Sequence, residues 1–331
     1  MRRFALKIVI LLALVWSGWW YLATTSTRNS VTAWLQDRQT EGWQAEAAAI
    51  TSGGFPLRTT TQIDRLVLLD PARTRGVEVP RLNLSAPIYW PGHASVHVPA
   101  GPVTFTTPQG EVELGTEGAR AGMRLRPGTA LQLEALSGDA TGITLDVNDL
   151  RLLDVEAVEA AVTQGRTPET YTVNLVLTGL SPSEALFEGA SLPRPGPGTF
   201  APVVADATIT FDRPWDRSAL QDTRPQPRQI RITEIAASYA DTGVSISGDL
   251  DVDPAGIASG SLRLRMRNWQ DVFDMAVATA TIPPEWAPTV GQVLGSMSDA
   301  DGTLDLTLTL AAGQMRIGFL PLGPAPRFVI R

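Results

Sequence analysis

The apolar positions of this chain fall into two patterns, one continuous and one alternating. Phe4 to Ala23 is predominantly apolar, with Lys7 as its one charge near enough to the end to snorkel toward headgroups. About 20 residues at ~1.5 Å rise match a ~30 Å hydrocarbon layer, so the run predicts one N-terminal transmembrane helix over 4–23. A cleaved signal peptide begins in the same way. Trp16, Trp19, Trp20 and Tyr21, however, occupy the stretch where small residues would precede a cut, and such amphipathic rings settle at the membrane interface. The expectation is therefore an uncleaved anchor. Arg2, Arg3 and Lys7 lie before or early in the run and Arg28 is the first basic residue after it. The positive-inside bias then leaves residues 1–3 as a cytoplasmic tail and delivers 24–331 to the outside, the periplasm in a bacterium with two membranes.

Beyond the anchor, Asn29 or Ser30 is a candidate cap for a short stalk helix carrying Val31, Trp34, Leu35 and Arg38 and ending near Gly42, giving a stalk over 24–42. From Trp43 onward the period becomes two. Val77 and Val79, then Leu82 and Leu84, alternate with polar neighbours. The same holds for 123–126, 131–134, 143–147, 171–175, 244–247, 250–253, 262–267 and 304–310. Successive side chains of a strand point to opposite faces, so each segment presents one oily and one polar row, and a broad antiparallel sheet is expected. Gly110, Gly115, Gly118, Gly122, Gly128, Gly138, Gly142, Gly256 and Gly260 suit hairpin turns or bulges.

Helices read as accessories. One candidate starts at Asp154 and runs through Val155, Val158, Ala161 and Val162 to Gly165; 182–188 suggests another brief turn. A more hydrophobic pair spans 269–278 and 286–297, interrupted by Pro283 and Pro284, with Asn268 as cap of the first and Pro284 starting the second. Closely spaced prolines make 191–199 the clearest linker. It divides the exported chain into a β-rich half over 43–190 and a second β-rich half with accessory helices over 200–331, and 222–227 forms a further loop. The fold class expected is mainly β with accessory helices: extended curved antiparallel sheet behind one transmembrane helix.

Composition narrows the function. With 331 residues, 44% of them hydrophobic and 18% charged, the chain can bury a sizeable core. Its 27 basic residues against 34 acidic ones give −7; three of the basic residues precede residue 24, so the exported portion carries 24 against 34, or −10. Nucleic acid, which demands a basic surface, is not an expected partner, and binding to an anionic leaflet by charge alone is disfavoured. No cysteine is present, which removes disulfides, thiolate metal sites and cysteine nucleophiles.

Candidate chemistry is sparse. His93 and His97 are four apart, but Pro91, Gly92 and Pro99 favour a strand or loop, where the rings share a face about 13 Å apart and cannot hold one metal without a bend. Ser95 lacks a Gly-x-Ser-x-Gly elbow. Asp249, Asp251 and Asp253 share a strand face too extended for compact coordination, and Asp299 to Gly302 reads as an Asp-Gly turn. Arg263, Arg265 and Arg267 line a basic strand face that suits oxyanions or, more plainly, acidic neighbours in the sheet. The sole lysine is Lys7 and no phosphate loop occurs. The reading is not an enzyme, with no cofactor and no metal.

The basic start, anchor and tryptophan-containing stalk, followed by Gly54-Phe55-Pro56-Leu57-Arg58 and glycine-bounded strands, resemble an uncharacterised bacterial envelope family, domain of unknown function 2125. Gly318-Phe319-Leu320-Pro321-Leu322-Gly323-Pro324-Ala325-Pro326 is similar to its C-terminal Leu-Gly-Pro pattern. The resemblance implies an envelope location. At greater distance 244–266 resembles the strand organisation of AsmA-like envelope proteins, which implies lipid handling or envelope assembly. An apolar sheet face left uncovered can shelter acyl chains at ~0.8 kcal/mol per methylene. In that reading Trp269, Phe273, Trp286 and Leu294 line the groove, although ordinary core packing is the plainer reading of their bulk. The alternative is a non-catalytic assembly protein whose apolar face is filled and whose sheet edge recruits an envelope protein by strand addition.

Overall fold

The computed structural model describes residues 2–90, 92–189, 199–220, 224–279, 282, 285–299, 301–318 and 320–330. Strands dominate and all pair antiparallel, as the alternation predicts. The chain forms two compact units: Met1–Arg124 with Thr144–Asp149, and Leu125–Ile143 with Leu150–Arg331.

The first unit holds helix α1 (Arg2–Thr40) and strands β1 (Gln44–Gly53), β2 (Arg58–Leu69), β3 (Gly76–Pro87), β4 (His93–Thr107) and β5 (Gly110–Leu125), each strand hydrogen-bonded to the next. It also takes the end of β6 (Leu133–Val147). Anchor and stalk were expected as two helices, with a cap at Asn29 or Ser30; instead α1 runs unbroken through both positions. Thr27 Oγ1 donates to Ala23 O and Thr32 Oγ1 to Arg28 O, each at 3.0 Å, so the polar stretch back-bonds to its own helix rather than ending it. Among the described residues no helix is long and apolar enough to cross a membrane. The side chains of 1–6 and 9, among them Phe4, Ala5, Leu6 and Val9 of the apolar run, lie outside those described.

The C-terminal part of α1 lays Val31 and Leu35, one turn apart, on the sheet. Beneath them pack Ala45, Ala47 and Ile50 of β1, Ile63, Leu66 and Leu68 of β2, and Val77, Val79, Leu82 and Leu84 of β3. The inward positions change parity in all three strands at the same level. Ala47 pairs with Leu66 and Ala49 with Asp64; Leu66 pairs with Val79 and Asp64 with Arg81. Arg65, between them, has φ 47°, and that left-handed residue moves the oily row from odd to even positions along β2.

The second unit holds the start of β6, β7 (Leu150–Gln164), β8 (Thr170–Thr178), the two-residue β9 (Ser181–Pro182), α2 (Glu184–Gly189) and β10 (Val203–Phe211). A 3-10 turn (Arg217–Leu220), β11 (Pro227–Tyr239), β12 (Thr242–Val252), β13 (Ala258–Arg267), α3 (Trp269–Ala278), α4 (Ala287–Met297), β14 (Thr303–Ala311), β15 (Gln314–Ile317) and β16 (Leu320–Pro324) complete it. The strand order is β7-β8-β10-β11-β12-β13-β14-β15-β16, with β9 paired to β7.

The helix expected from Asp154 to Gly165 is β7 instead, because Ala157–Gln164 pairs residue for residue with Thr178–Tyr171 of β8. The expected pair of hydrophobic helices forms as α3 and α4. Asn268 stands at the start of α3 in the left-handed region, φ 47°, and its side chain makes no capping bond, contrary to expectation. Residues Thr281, Pro283 and Pro284 between the helices lie outside the described ones; Trp286 is the N-cap of α4, with Pro288 in its first turn. Of the expected linker, 191–198 is likewise outside, as are Asp222 and Thr223.

Candidate functional site

Cross-strand registers in the second unit sort its side chains onto two faces. On one face Val162, Val173, Ala207 and Ile232 form a row across β7, β8, β10 and β11. Ala160, Leu175, Ala205 and Ile235 form the next, and Val158, Leu177 and Val203 a third. A bulge in β11 inserts Thr233 between Ile232 and Ile235, which keeps both isoleucines on the apolar face. The rows continue into β12–β14 as Ile235–Ile246–Leu264–Leu306 and Ile230–Leu250–Gly260–Leu310.

Coverage of this face is uneven. Over β12–β14, α3 and α4 press Trp269, Val272, Phe273, Val290 and Leu294 onto Val244, Leu264, Met266, Leu304 and Leu306. Nearby, Met315, Ala325 and Phe328 cover Leu250, Leu262, Leu308 and Leu310. Among the described residues no helix packs closely on β8, β10 or β11; the short α2, which follows the pairing of Pro182 with Leu153, contacts β7. The side chains of the rows are half-buried here, Ala160 and Ile235 are exposed, and none joins a buried core cluster except Ile230 at the covered margin.

One end of the uncovered region is sealed by aromatics. Tyr171 follows Val173 on the same face, opposite Gln164 and Ile209, and is 1% exposed. Its ring meets Phe211 edge-on at 5.8 Å, and Phe211 meets Trp215 at 5.6 Å. The Tyr171 hydroxyl accepts from the Trp215 amide at 3.1 Å and from Gln164 Nε2 at 3.3 Å, and donates to Leu133 O at 3.4 Å. Burial pushes the phenol above its ordinary pKa of 10.0, so it stays neutral and bridges the β7–β8 floor to the loop after β10.

The opposite face is polar. Asn174 Nδ2 donates to Asp206 Oδ1, Arg231 Nε meets Asp249 Oδ1 at 2.7 Å, and Gln229 donates to Asp251. Arg263, Arg265 and Arg267 are exposed there, opposite Leu262, Leu264 and Met266 as the alternation predicts. Arg263 Nη2 meets Asp305 Oδ2 at 2.5 Å, and that bond holds the Asp305 carboxyl below its ordinary value. The basic row is thus met by one acidic sheet neighbour, Asp305, which bonds Arg263 and pairs in register with Arg265.

Of the residues expected to line a groove, Trp269 and Leu294 are buried and Phe273 packs with them, its ring 5.9 Å from Trp269 in an edge arrangement. Trp286 stands apart, 56% exposed at the start of α4. Three of the four therefore belong to one packed cluster beneath the helices. Trp269 Nε1 is buried there with no hydrogen-bond partner among the described residues. The uncovered rows on β7, β8 and β10 were not singled out from sequence as a site; the signal available was 171–175, whose alternation places Tyr171, Val173 and Leu175 in one line.

Other candidates resolve locally. His93 and His97 lie on β4, in extended chain as expected, opposite Arg124 and Arg120. The Nδ1 of His97 is 3.2 Å from Ala119 O. Ser95 Oγ donates to Ser85 O. Asp253 accepts from the amides of Ala255 and Ile257, turning the chain from β12 into β13. Among the described residues no group of three or more His, Asp or Glu is placed to hold a metal ion.

A bacterial family described as "Uncharacterized protein conserved in bacteria (DUF2125)" matches residues 19–326. No curated protein and no solved structure matches the chain.

Proposed function

The chain belongs to the DUF2125 family, and for this member we propose a membrane-anchored envelope protein that binds lipid acyl chains, or another apolar ligand, on the uncovered face of β7, β8, β10 and β11. The observation that carries the reading is the contrast in coverage. Helices and the C-terminal segment seal the apolar rows over β12–β14, while the rows from Val158 to Ile235 stay half-open and end at Tyr171. A linear hydrocarbon lying along three such rows loses water from several methylenes, at ~0.8 kcal/mol each. The alternation that builds the sheet also supplies its ligand surface.

The anchor part of the reading rests on the apolar run over 4–23 and on the exposure of its helix. Ile8, Ile10, Leu11, Leu12, Leu14, Val15, Trp19, Tyr21 and Leu22 all turn outward from α1, a contiguous apolar surface that water does not favour. With the N-terminus cytoplasmic, residues 24–331 occupy the periplasm.

Native mass spectrometry of the full chain, released gently from lipid nanodiscs, tests the ligand. A reproducible adduct with the mass of a phospholipid supports the proposal. A bare chain that co-purifies with a discrete protein partner supports assembly by strand addition, for which β1 and β16 offer the terminal strands. A C-terminal alkaline phosphatase fusion tests the orientation: activity is expected, and a fusion inactive as phosphatase but fluorescent as a cytoplasmic reporter overturns it.

A further inference from the structure

One turn of the first unit lies against the tryptophans of α1, and a second turn is bonded to it. Trp16 Nε1 donates to Pro56 O and Trp20 Nε1 to Arg58 O, each at 2.8 Å, and the Trp20 ring meets Phe55 edge-on at 5.4 Å. The 54–57 turn between β1 and β2 is therefore pinned to one face of the helix, since residues 16 and 20 are a turn apart. The turn from β3 to β4 joins it, with Ile88 N donating to Leu57 O at 3.0 Å. At these two tips Phe55, Leu57 and Tyr89 are 56%, 60% and 71% exposed.

The level of these tips on α1 decides what they meet. Pro56 is held at Trp16, seven residues before Ala23, the end of the apolar run; at ~1.5 Å per residue it lies about 10 Å to the membrane side of that end. The helix and its partner loop share one depth. We propose that Phe55, Leu57 and Tyr89 enter the headgroup–acyl boundary of the bilayer that α1 crosses, giving the first unit a second membrane contact that fixes its tilt. The inference rests on the anchor reading above. Apolar and aromatic insertion suits a chain whose exported portion is net acidic, because charge attraction to an anionic leaflet is unavailable to it. Two direct hydrogen bonds from interfacial indoles to backbone carbonyls also satisfy those groups where water is scarce.

The absence of cysteine makes the test direct, since a single introduced thiol carries the label. Leu57→Cys and Tyr89→Cys, each with bimane, report the tips; Leu12→Cys reports the anchor; Ala72→Cys, exposed in the turn after β2 at the far end of that strand, reports water. The full chain is placed in phosphatidylcholine–phosphatidylglycerol vesicles containing lipids with nitroxides at shallow or deep acyl positions. Expected is quenching at 57 and 89 that is strongest with the shallow nitroxide, deep quenching at 12, and none at 72. Quenching at 12 with none at 57 or 89 overturns the proposal and leaves the anchor standing. Absence of quenching at 12 and at both tips removes the anchor reading as well.

Discussion

The Trp215 amide donates to the Tyr171 hydroxyl at 3.1 Å, which ties the loop after β10 to the end of the β7–β8–β10 face that Tyr171 closes. The same oxygen takes a bond from Gln164 and gives one to Leu133 O. Tyr171→Phe strands the Trp215 amide, while Gln164 Nε2 keeps its 2.8 Å bond to Pro168 O, at a cost of about 1–3 kcal/mol. Tyr171→Ala adds a cavity among Phe211 and Trp215 and is expected to cost about 3–5 kcal/mol. Urea unfolding followed by circular dichroism reads both as shifts in midpoint, with the alanine variant the lower.

Ala205 lies between Leu175 and Ile235 in the uncovered region, and its small side chain leaves the space above the strand open. Ala205→Trp fills it. Loss of about two methylene contacts, ~1.6 kcal/mol, should weaken a bound acyl chain roughly 10-fold. The measurement is lipid occupancy in native mass spectra of the variant and the parent, with matched far-ultraviolet circular dichroism showing that the sheet is retained.

Acid should destabilise the protein through a small set of carboxylates. The Arg81 guanidinium and Gln62 hold Asp64 below the ordinary 3.8, the Arg75 amide does so for Asp70, Ser218 for Asp216 and Arg263 for Asp305. A folded value below the unfolded one gives stability that is present above 3.8 and is lost as pH falls through the folded value. The melting temperature should therefore hold from neutrality to about pH 5 and drop below about pH 4. Asp305→Asn should flatten part of that drop, and an unchanged acid limb in this variant would argue against the assignment.

The α3–α4 contact depends on two glycines of unequal tolerance. A Cβ at Gly291 would stand 3.3 Å from Phe273 Cζ, whereas one at Gly295 would reach Trp269 Cζ2 at 3.7 Å, an ordinary contact. Gly295→Ala should be neutral or stabilising by up to about 1 kcal/mol, from helix propensity. Gly291→Leu should overpack the interface and cost about 1–3 kcal/mol. Thermal melts of the two variants should move in opposite directions or differ clearly in size.

The sheet was legible wherever one residue type alternated cleanly. The run 304–310 places leucine at every even position, and Leu304, Leu306 and Leu310 are indeed buried. In β7 the reading failed for a physical reason: Ala157, Ala160 and Ala161 suit either period, and Val155, Val158 and Val162 fall three and four apart by coincidence. Only the ladder to β8 decides between helix and strand. The stalk cap failed because Asn29 and Ser30 are favoured helix caps locally, while Val31 and Leu35 gain enough on the sheet to carry the helix through them. Bulky Trp269 and Phe273 drew attention as site residues, yet bulk is what a packed cluster under two helices needs; an open apolar face is made from modest residues such as Val173 and Ala205. Which part of an oily row is left without a lid depends on where helices land, and strand periodicity does not encode that.

In the first unit each strand from β2 to β5 pairs with the one made just before it, and from β11 onward the second unit does the same. At every such step of synthesis the growing end therefore finds its template already in place, and the loop that must close is a single tight turn in most cases. The chain can assemble by accretion, like a zip drawn from one end, without waiting for a distant segment to arrive. The strand most recently added is the exposed edge until its successor appears, so interruption of synthesis leaves a short, ordered stub with one sticky border rather than a collapsed coil.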